Sequence, residues 1–428
     1  MTVTVHHADC MDILPTLESD SIDACVTDPP GGINFMQKKW DSDRGGRRQW
    51  IAWLTGVMEE VYRVLKPGGH AVVWSLPRTS HWTGTALEDA GFEVRDVVLH
   101  LFGQGFPKSR NISRAIDAEA GISGTFGDYR SSEHAIKRKP GNERHHAGYQ
   151  RPWRDDPEAE QGTLREYIPA TDAARKWQGY GTCLKPAAEF WWLVRKPISE
   201  ATIALNVLRW GVGGLNIDAC KIGSDVITTH SRGNNSAFPA YPTHKTMSDS
   251  GGKTPQNKIS HDKRVGRWPS NVTHDGSDEV MKEFAKFGDT RSGHIPRSSN
   301  GNSMWHNASA LTVEHSNSAF ADSGTAARFF YTGKASPDDR MGTSHPTTKP
   351  TSLIRWLCKM ITPPSGLILD PFGGSGVTAV AAMKESFDCI IIEKEAEHHR
   401  DILNRIAHVK GDDTPLFRAP SAAPGLFD

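Results

Sequence analysis

No apolar run in this 428-residue chain approaches the roughly 20 residues that a membrane-spanning helix needs, so no membrane segment is expected. Cysteine is sparse. Six are scattered (Cys10, Cys25, Cys183, Cys220, Cys358, Cys389), with no CxxC and no short His/Cys spacing. That pattern argues against structural zinc or any other metal site and for reduced thiols in a cytoplasm. The opening "MTVTVHHADCMDIL" lacks a basic segment followed by an apolar one, so no secretory signal is expected and the expected location is cytoplasmic. Net charge is zero, which neither supports nor excludes nucleic acid, because a DNA-acting protein needs a local basic surface and not a basic total. No internal repeat is present.

What is there has the composition of a soluble protein, 37% hydrophobic and 23% charged, on a chain long enough for two or three domains. Three zones differ in texture. Residues 1–120 alternate β-rich runs ("SIDACVTD", "GGHAVVWSL", "GFEVRDVVLHLF") with a helical pattern. In that pattern Leu54, Val57, Met58, Val61 and Leu65 fall at three- and four-residue steps, and Gly68-Gly69 are expected to end the helix. This rhythm predicts a parallel α/β sheet. Residues 121–345 are rich in Gly, Ser, Asn, His and Arg, with apolar islands such as "AAEFWWLVRKP" and "ARFFYTGKA" that predict packing on the sheet. Residues 346–410 return to α/β texture, and the Pro/Ala-rich 411–428 reads as a disordered tail.

"LILDPFGGSGVTAVAA" is a buried strand followed by Asp370, Pro371, Phe372, a glycine turn and a small-residue helix. Glycines there let the backbone turn tightly and approach a ligand. The next strand ends at Glu393, placed to accept hydrogen bonds from ribose hydroxyls. Gly374-x-Gly376-x-x-Ala379 meets the loose GxGxxA pattern, so a dinucleotide and S-adenosylmethionine both remain open on this motif alone. Two features favour the methionine cofactor. Asp370 just before the glycines repels phosphates and suits a cation. In addition, "DACVTDPPGGINFM" delivers Asp28, Pro29 and Pro30 to a strand exit, and hydride transfer has no use for them. The prolines hold backbone carbonyls rigidly beside the Asp28 carboxylate, which makes a pair of acceptors for an exocyclic amino group. An amino nitrogen with both hydrogens engaged keeps its lone pair aimed at an electrophile.

These strings, in this order, resemble the β-class of amino-methylating DNA methyltransferases, in particular the phage and prophage type of site-specific adenine enzyme. Also similar are "FMQKKWD", "RVLKPGG", "GQGFPKSRNISRAID", "LNIDACKIG", "GRWPSNVTHDG", "ARFFYTGKAS" and "HPTTKP". The resemblance implies a class I S-adenosylmethionine-dependent methyltransferase fold: a Rossmann-like seven-stranded sheet in permuted order with an inserted target-recognition region. It assigns 1–120 to the catalytic half, 121–345 to target recognition and 346–410 to cofactor binding. It nominates Asp9, Cys10, Thr347, Lys349 and Pro350 as cofactor contacts, beside Asp370, Pro371, Phe372, Gly374, Ser375, Gly376, Thr378 and Glu393. It further implies double-stranded DNA and a homodimer as partners.

One departure stands out. Where the family has an aromatic after Pro-Pro, this chain has Gly31. That aromatic stacks on the flipped-out base, a contact worth about 1–3 kcal/mol. Three readings stay open: Phe35 or Trp40 fills the role, the enzyme is slow, or the chain binds DNA without methylating it. Lys108, Arg110, Arg138, Arg144, Arg267 and Trp268 are the candidate DNA contacts, and Trp177 and Tyr180 are candidates to stack on a base or wedge the duplex. The expected activity is adenine-N6 methylation of duplex DNA. Cytosine-N4 methylation and a non-catalytic DNA-binding homologue are the alternatives.

Overall fold

The structure is a computed structural model, and it describes residues 1–34, 38–103, 105, 109–130, 164–232, 259–291, 323–340, 343, 345 and 347–411. Two compact units make up the chain: Met1–Gln104 together with Ala187–Asp428, and Gly105–Pro186. Residues 121–345 fall partly in each unit, and the apolar island after Pro186 is a strand of the main sheet.

Nine strands form that sheet: β1 (Val3–His7), β2 (Ile22–Thr27), β3 (Leu65–Ser75), β4 (Glu93–Leu101), β5 (Ala188–Arg195), β6 (Val272–His274), β7 (Tyr331–Thr332), β8 (Leu367–Asp370) and β9 (Asp388–Glu393). Their order is β1-β9-β8-β2-β3-β5-β4-β6-β7. Only β5 is antiparallel to its neighbours β3 and β4. Every residue of β2 is buried, as expected for a central parallel strand covered on both faces. The first seven positions make the expected sheet, and the short β6 and β7 extend its edge, so the count is nine and not seven. The late strands β8 and β9 sit between β1 and β2, which is the permuted order.

Helices cover both faces. On one lie α1 (Arg47–Val64) and α2 (Ser80–Asp89), whose Leu54, Val57, Met58, Val61 and Leu87 pack against Cys25, Ala71 and Val73. On the other lie α3 (Thr351–Ile361), α4 (Val377–Lys384) and α5 (Ala396–Val409), with Leu353, Trp356, Leu357, Ala381 and Ile402 in one cluster with Val26 and Ile391. Helix α1 ends at Val64, four residues before the glycines expected to stop it. Leu65 is already extended, and Pro67 holds Lys66 out of the helical region. No described helix is long and apolar enough to cross a membrane.

In the smaller unit, the helix Ile112–Glu119 accompanies an antiparallel pair, Thr125–Arg130 with Leu164–Ile168. Asp117, fully buried, ties the unit together. It accepts from the Tyr167 hydroxyl (2.8 Å), the Ala170 amide (2.8 Å) and the Thr171 amide (3.1 Å) and hydroxyl (2.7 Å).

Candidate active site at the switch point of the sheet

In a doubly wound sheet, ligands bind beyond the carboxyl ends of the strands where the winding reverses. Here the chain leaves β8 through α4 toward β9 on one side, and leaves β2 through α1 toward β3 on the other. The reversal therefore falls between β8 and β2. Asp370 ends β8 and Asp28 follows β2, so both sequence-singled motifs emerge at this one point. Thr27 Oγ1 donates to Asp370 Oδ1 at 2.7 Å and joins the two exits.

The glycine turn follows Asp370. That carboxylate is 2% exposed and also accepts from the Phe372 amide (3.1 Å) and the Thr378 hydroxyl. Burial raises its pKa, and these donors offset part of the rise. A Cβ on Gly373 would sit 2.8 Å from Ile391 Cγ1, so that glycine lets the turn pack on the sheet. Gly374 is different. It is left-handed (φ +48°), and a Cβ there would meet His345 Nε2 at 3.6 Å and the Phe372 carbonyl at 3.8 Å, both ordinary contacts. Its amide donates to Glu393 Oε2 (2.7 Å), while the Glu395 amide donates to Glu393 Oε1 (2.6 Å). Burial pushes the Glu393 carboxyl up to about 7 against the pull of these amides. Ser375 and Thr378 are buried behind the turn, where Arg405 Nη1 donates to the Ser375 carbonyl at 2.7 Å.

Asp9 and Cys10 follow β1, which pairs with β9 in the register His7 to Glu393, so both reach the same rim. Asp9 pairs with Lys394 at 2.9 Å. Burial opposes its charge, but the Met11 amide and Lys394 hold its pKa below the usual range. Burial and the Asp9 charge push the Cys10 thiol up to about 12, which leaves it no nucleophile. Phe372 packs its ring 5.6 Å from that of Trp53.

At the other exit, Lys349 Nζ lies 3.5 Å from Asp28 Oδ2 and 3.3 Å from Glu189 Oε1, and 3.9 Å from the centroid of the Trp74 ring. Lys349 thus stands beside the carboxylate of the Asp-Pro-Pro motif, while Thr347 is exposed and Pro350 caps α3. Burial pushes the Asp28 carboxyl up to about 7. Lys349 opposes the rise, and Glu189 and Asp370 add to it. The loop beyond is pinned, because Thr79 Oγ1 donates to the Gly31 carbonyl (2.9 Å) and the Gly32 amide donates to Asp41 Oδ1 (2.9 Å). Trp40, a base-stacking candidate, has its ring 5.9 Å from His345 and 6.4 Å from His398, beside the glycine turn.

The DNA-contact candidates are scattered. Arg110 is exposed in the smaller unit, where Trp177 (49% exposed) and Tyr180 (58%) pack edge to face at 5.1 Å. Trp268 is 64% exposed, but the Arg267 side chain is turned inward onto Asp225 at 3.1 Å. Phe35, Lys108, Arg138 and Arg144 lie outside the described residues, as does 412–428. Sequence reasoning missed Thr27, Trp74, Glu189 and His345. Thr27 and His345 carried a signal, since Thr27 adjoins Asp28 and His345 opens the HPTTKP string; Trp74 and Glu189 carried none, because they come from strands without a motif.

A family model described as DNA methylase, for the N6- and N4-acting enzymes, matches residues 22–117 and 231–404. The chain belongs to this N6/N4 DNA methylase family. It is 31% identical over 90 residues to the type II methyltransferase M.BglII of Bacillus subtilis, covering 21% of this chain and 22% of that protein. It is 41% identical over 66 residues to the putative methylase YubD of Escherichia coli (strain K12), covering 15% and 29%. The chain therefore spans under a third of the length of these curated relatives. Among solved structures, the cytosine-N4-specific PvuII DNA methyltransferase is similar at 12% identity, with 96% of this chain and 92% of that one covered and a TM-score of 0.42. The M1.HpyAVI–SAM complex is similar at 13% identity, with 94% and 98% covered and a TM-score of 0.35.

Proposed function

We propose that this chain transfers the methyl group of S-adenosylmethionine to the N6 amino group of adenine within a short sequence of duplex DNA. The observation that carries the reading is the meeting of the two motif strands at the switch point, with the Thr27–Asp370 hydrogen bond between them. A donor set of Asp9, Asp370 and Glu393 around a glycine turn fits a cationic cofactor and disfavours a pyrophosphate. Without a Cβ, Gly374 lets a ligand approach the backbone of the turn. Glu393 keeps lone pairs for ribose hydroxyls although each of its oxygens already accepts one amide. Bound there, S-adenosylmethionine supplies an electrophilic sulfonium methyl group.

The protein's own part is positioning. Asp28 and the carbonyls fixed by Pro29 and Pro30 accept both hydrogens of the amino group and direct its lone pair at the methyl carbon. A carboxylate whose pKa lies near 7 is also suited to take the proton that the methylated nitrogen releases. Asp28, where cytosine enzymes of the resembled class most often have serine, supports adenine. The exposed Trp177 and Tyr180 support DNA contact by the smaller unit. The reading extends to a cytoplasmic protein on DNA that acts as a homodimer. In support of pairing, the helix Ile203–Trp210 exposes Ile203, Leu205, Val207 and Leu208, the last at 83%.

The test is methyl transfer from labelled S-adenosylmethionine to unmethylated genomic DNA, followed by mass spectrometry of the nucleosides. N6-methyladenine is the expected product. N4-methylcytosine would overturn the choice of base, and unlabelled DNA would overturn the activity. Light scattering tests the dimer.

A further inference from the structure

We propose that Trp74 supplies the aromatic face for the target base, in place of the side chain that Gly31 lacks; the inference rests on the base-methylating reading of the same site. Strand β3 pairs with β2 in the register Val73 to Thr27. Asp28, just past the end of β2, and Trp74, still within β3 and paired with Trp191 of β5, therefore lie side by side. A Cβ placed on Gly31 would lie 3.7 Å from Trp74 Cζ3 and 3.8 Å from Cη2. A side chain at position 31 would thus start between the benzo end of the indole and Asp41 Oδ1, 3.6 Å away. Without one, residue 31 leaves that end uncovered.

Two hydrogen bonds pin the loop beside the ring. Thr79 holds the Gly31 carbonyl and Asp41 holds the Gly32 amide, so the loop cannot fall onto the ring. Trp74 is half-buried, whereas Trp50 and Trp191 are 1% exposed and closed to a ligand. The Lys349 ammonium lies over one face of the Trp74 ring and pairs with Asp28, so a base stacked on the indole takes the other face. A base whose amino group reaches Asp28 there meets the indole with its flat face. Among the described residues the buried indole N–H has no hydrogen-bond partner, so phenylalanine can replace the ring without losing a hydrogen bond.

The experiment compares kcat and KM for genomic DNA, cofactor affinity by calorimetry, and Tm among the full-length chain, Trp74→Phe and Trp74→Leu. Trp74→Phe should keep activity within about threefold, and Trp74→Leu should lose about tenfold to a hundredfold in kcat/KM, the factor that base–aromatic stacking carries. Cofactor affinity and Tm should match in the two variants. Adding Gly31→Tyr to Trp74→Leu should restore most of the loss, since Gly31 has ordinary backbone angles and its Cβ meets only van der Waals contacts. Equal activity of the leucine and phenylalanine variants overturns the inference. Should the leucine variant melt early, Trp74→Met takes its place, and a methionine variant as active as the phenylalanine one overturns it equally. An unsubstituted chain that transfers no methyl group overturns the base-methylating reading, and this inference with it.

Discussion

Thr27 and Asp370 are 343 positions apart, and the hydroxyl of one donates to the carboxylate of the other at 2.7 Å in the interior. The bond closes the permuted chain at the point where two motif strands must end together. Thr27→Val keeps the shape and removes the donor, which leaves a buried carboxylate oxygen short of a partner. Such a loss costs about 1–3 kcal/mol. Urea denaturation should show that decrease for Thr27→Val and much less for Thr27→Ser, which keeps the hydroxyl. Equal stability of both variants would mean that the bond contributes nothing to folding.

Asp28 sets a pH dependence. Burial holds its carboxyl near 7 in the folded protein, above the 3.8 of the free group, so the folded state keeps a proton that the unfolded chain releases. Stability should therefore fall as pH rises from about 4 to 7. Glu393, also raised to about 7, adds the same trend, so the difference between the protein and Asp28→Asn isolates Asp28. The Asp28→Asn curve should be flatter across that window, and a parallel curve would contradict the assignment. Methyl transfer needs the carboxylate as acceptor, so its rate should climb as pH passes 7. The charges around Asp28 give that limb a sign test. Glu189→Gln removes a charge that raises the Asp28 pKa and should move the limb to lower pH. Lys349→Met removes the cation that lowers it and should move the limb to higher pH.

Much of this site is legible in the sequence, because a buried strand, a carboxylate and a rigid turn are written in consecutive residues at both Asp28 and Asp370. The sheet was likewise readable from its alternating texture. The partners of Asp28 were not. Lys349 and Glu189 are 160 residues apart, and Glu189 reaches the site only because β5 inserts antiparallel between β3 and β4. Helix α1 ends before Gly68-Gly69 because Pro67 acts earlier than the glycines. Trp40, one of the two base-stacking candidates with Phe35, has its ring beside His345 and His398.

The two glycines after Pro30 are unlike each other. Gly32 is left-handed at φ +68°, and a Cβ there would fall 2.5 Å from Trp50 Nε1 and 2.6 Å from Cδ1, in the core under α1. Gly32→Ala should cost about 2–5 kcal/mol from backbone strain and overpacking together. Thermal unfolding checks this, and Gly31→Ala is the control expected to change little. If the two alanine variants melted together, the loop would not be held as described.

Trp177 and Tyr180 pose the question of DNA contact in the smaller unit. Each is about half exposed, and they touch each other edge to face at 5.1 Å. Large aromatic rings left in water that contribute little to a core are better placed to bind than to stabilise. Trp177→Ala and Tyr180→Ala should each weaken DNA binding by about tenfold or more, as loss of a base stack does, and leave Tm nearly unchanged. Asp117→Ala is the contrast. It removes the acceptor of four hydrogen bonds inside the same unit, and hydrogen exchange should speed up in Leu164–Ile168. Aromatic variants that melt early, as Asp117→Ala should, would place the two rings in the scaffold and not in the contact with DNA.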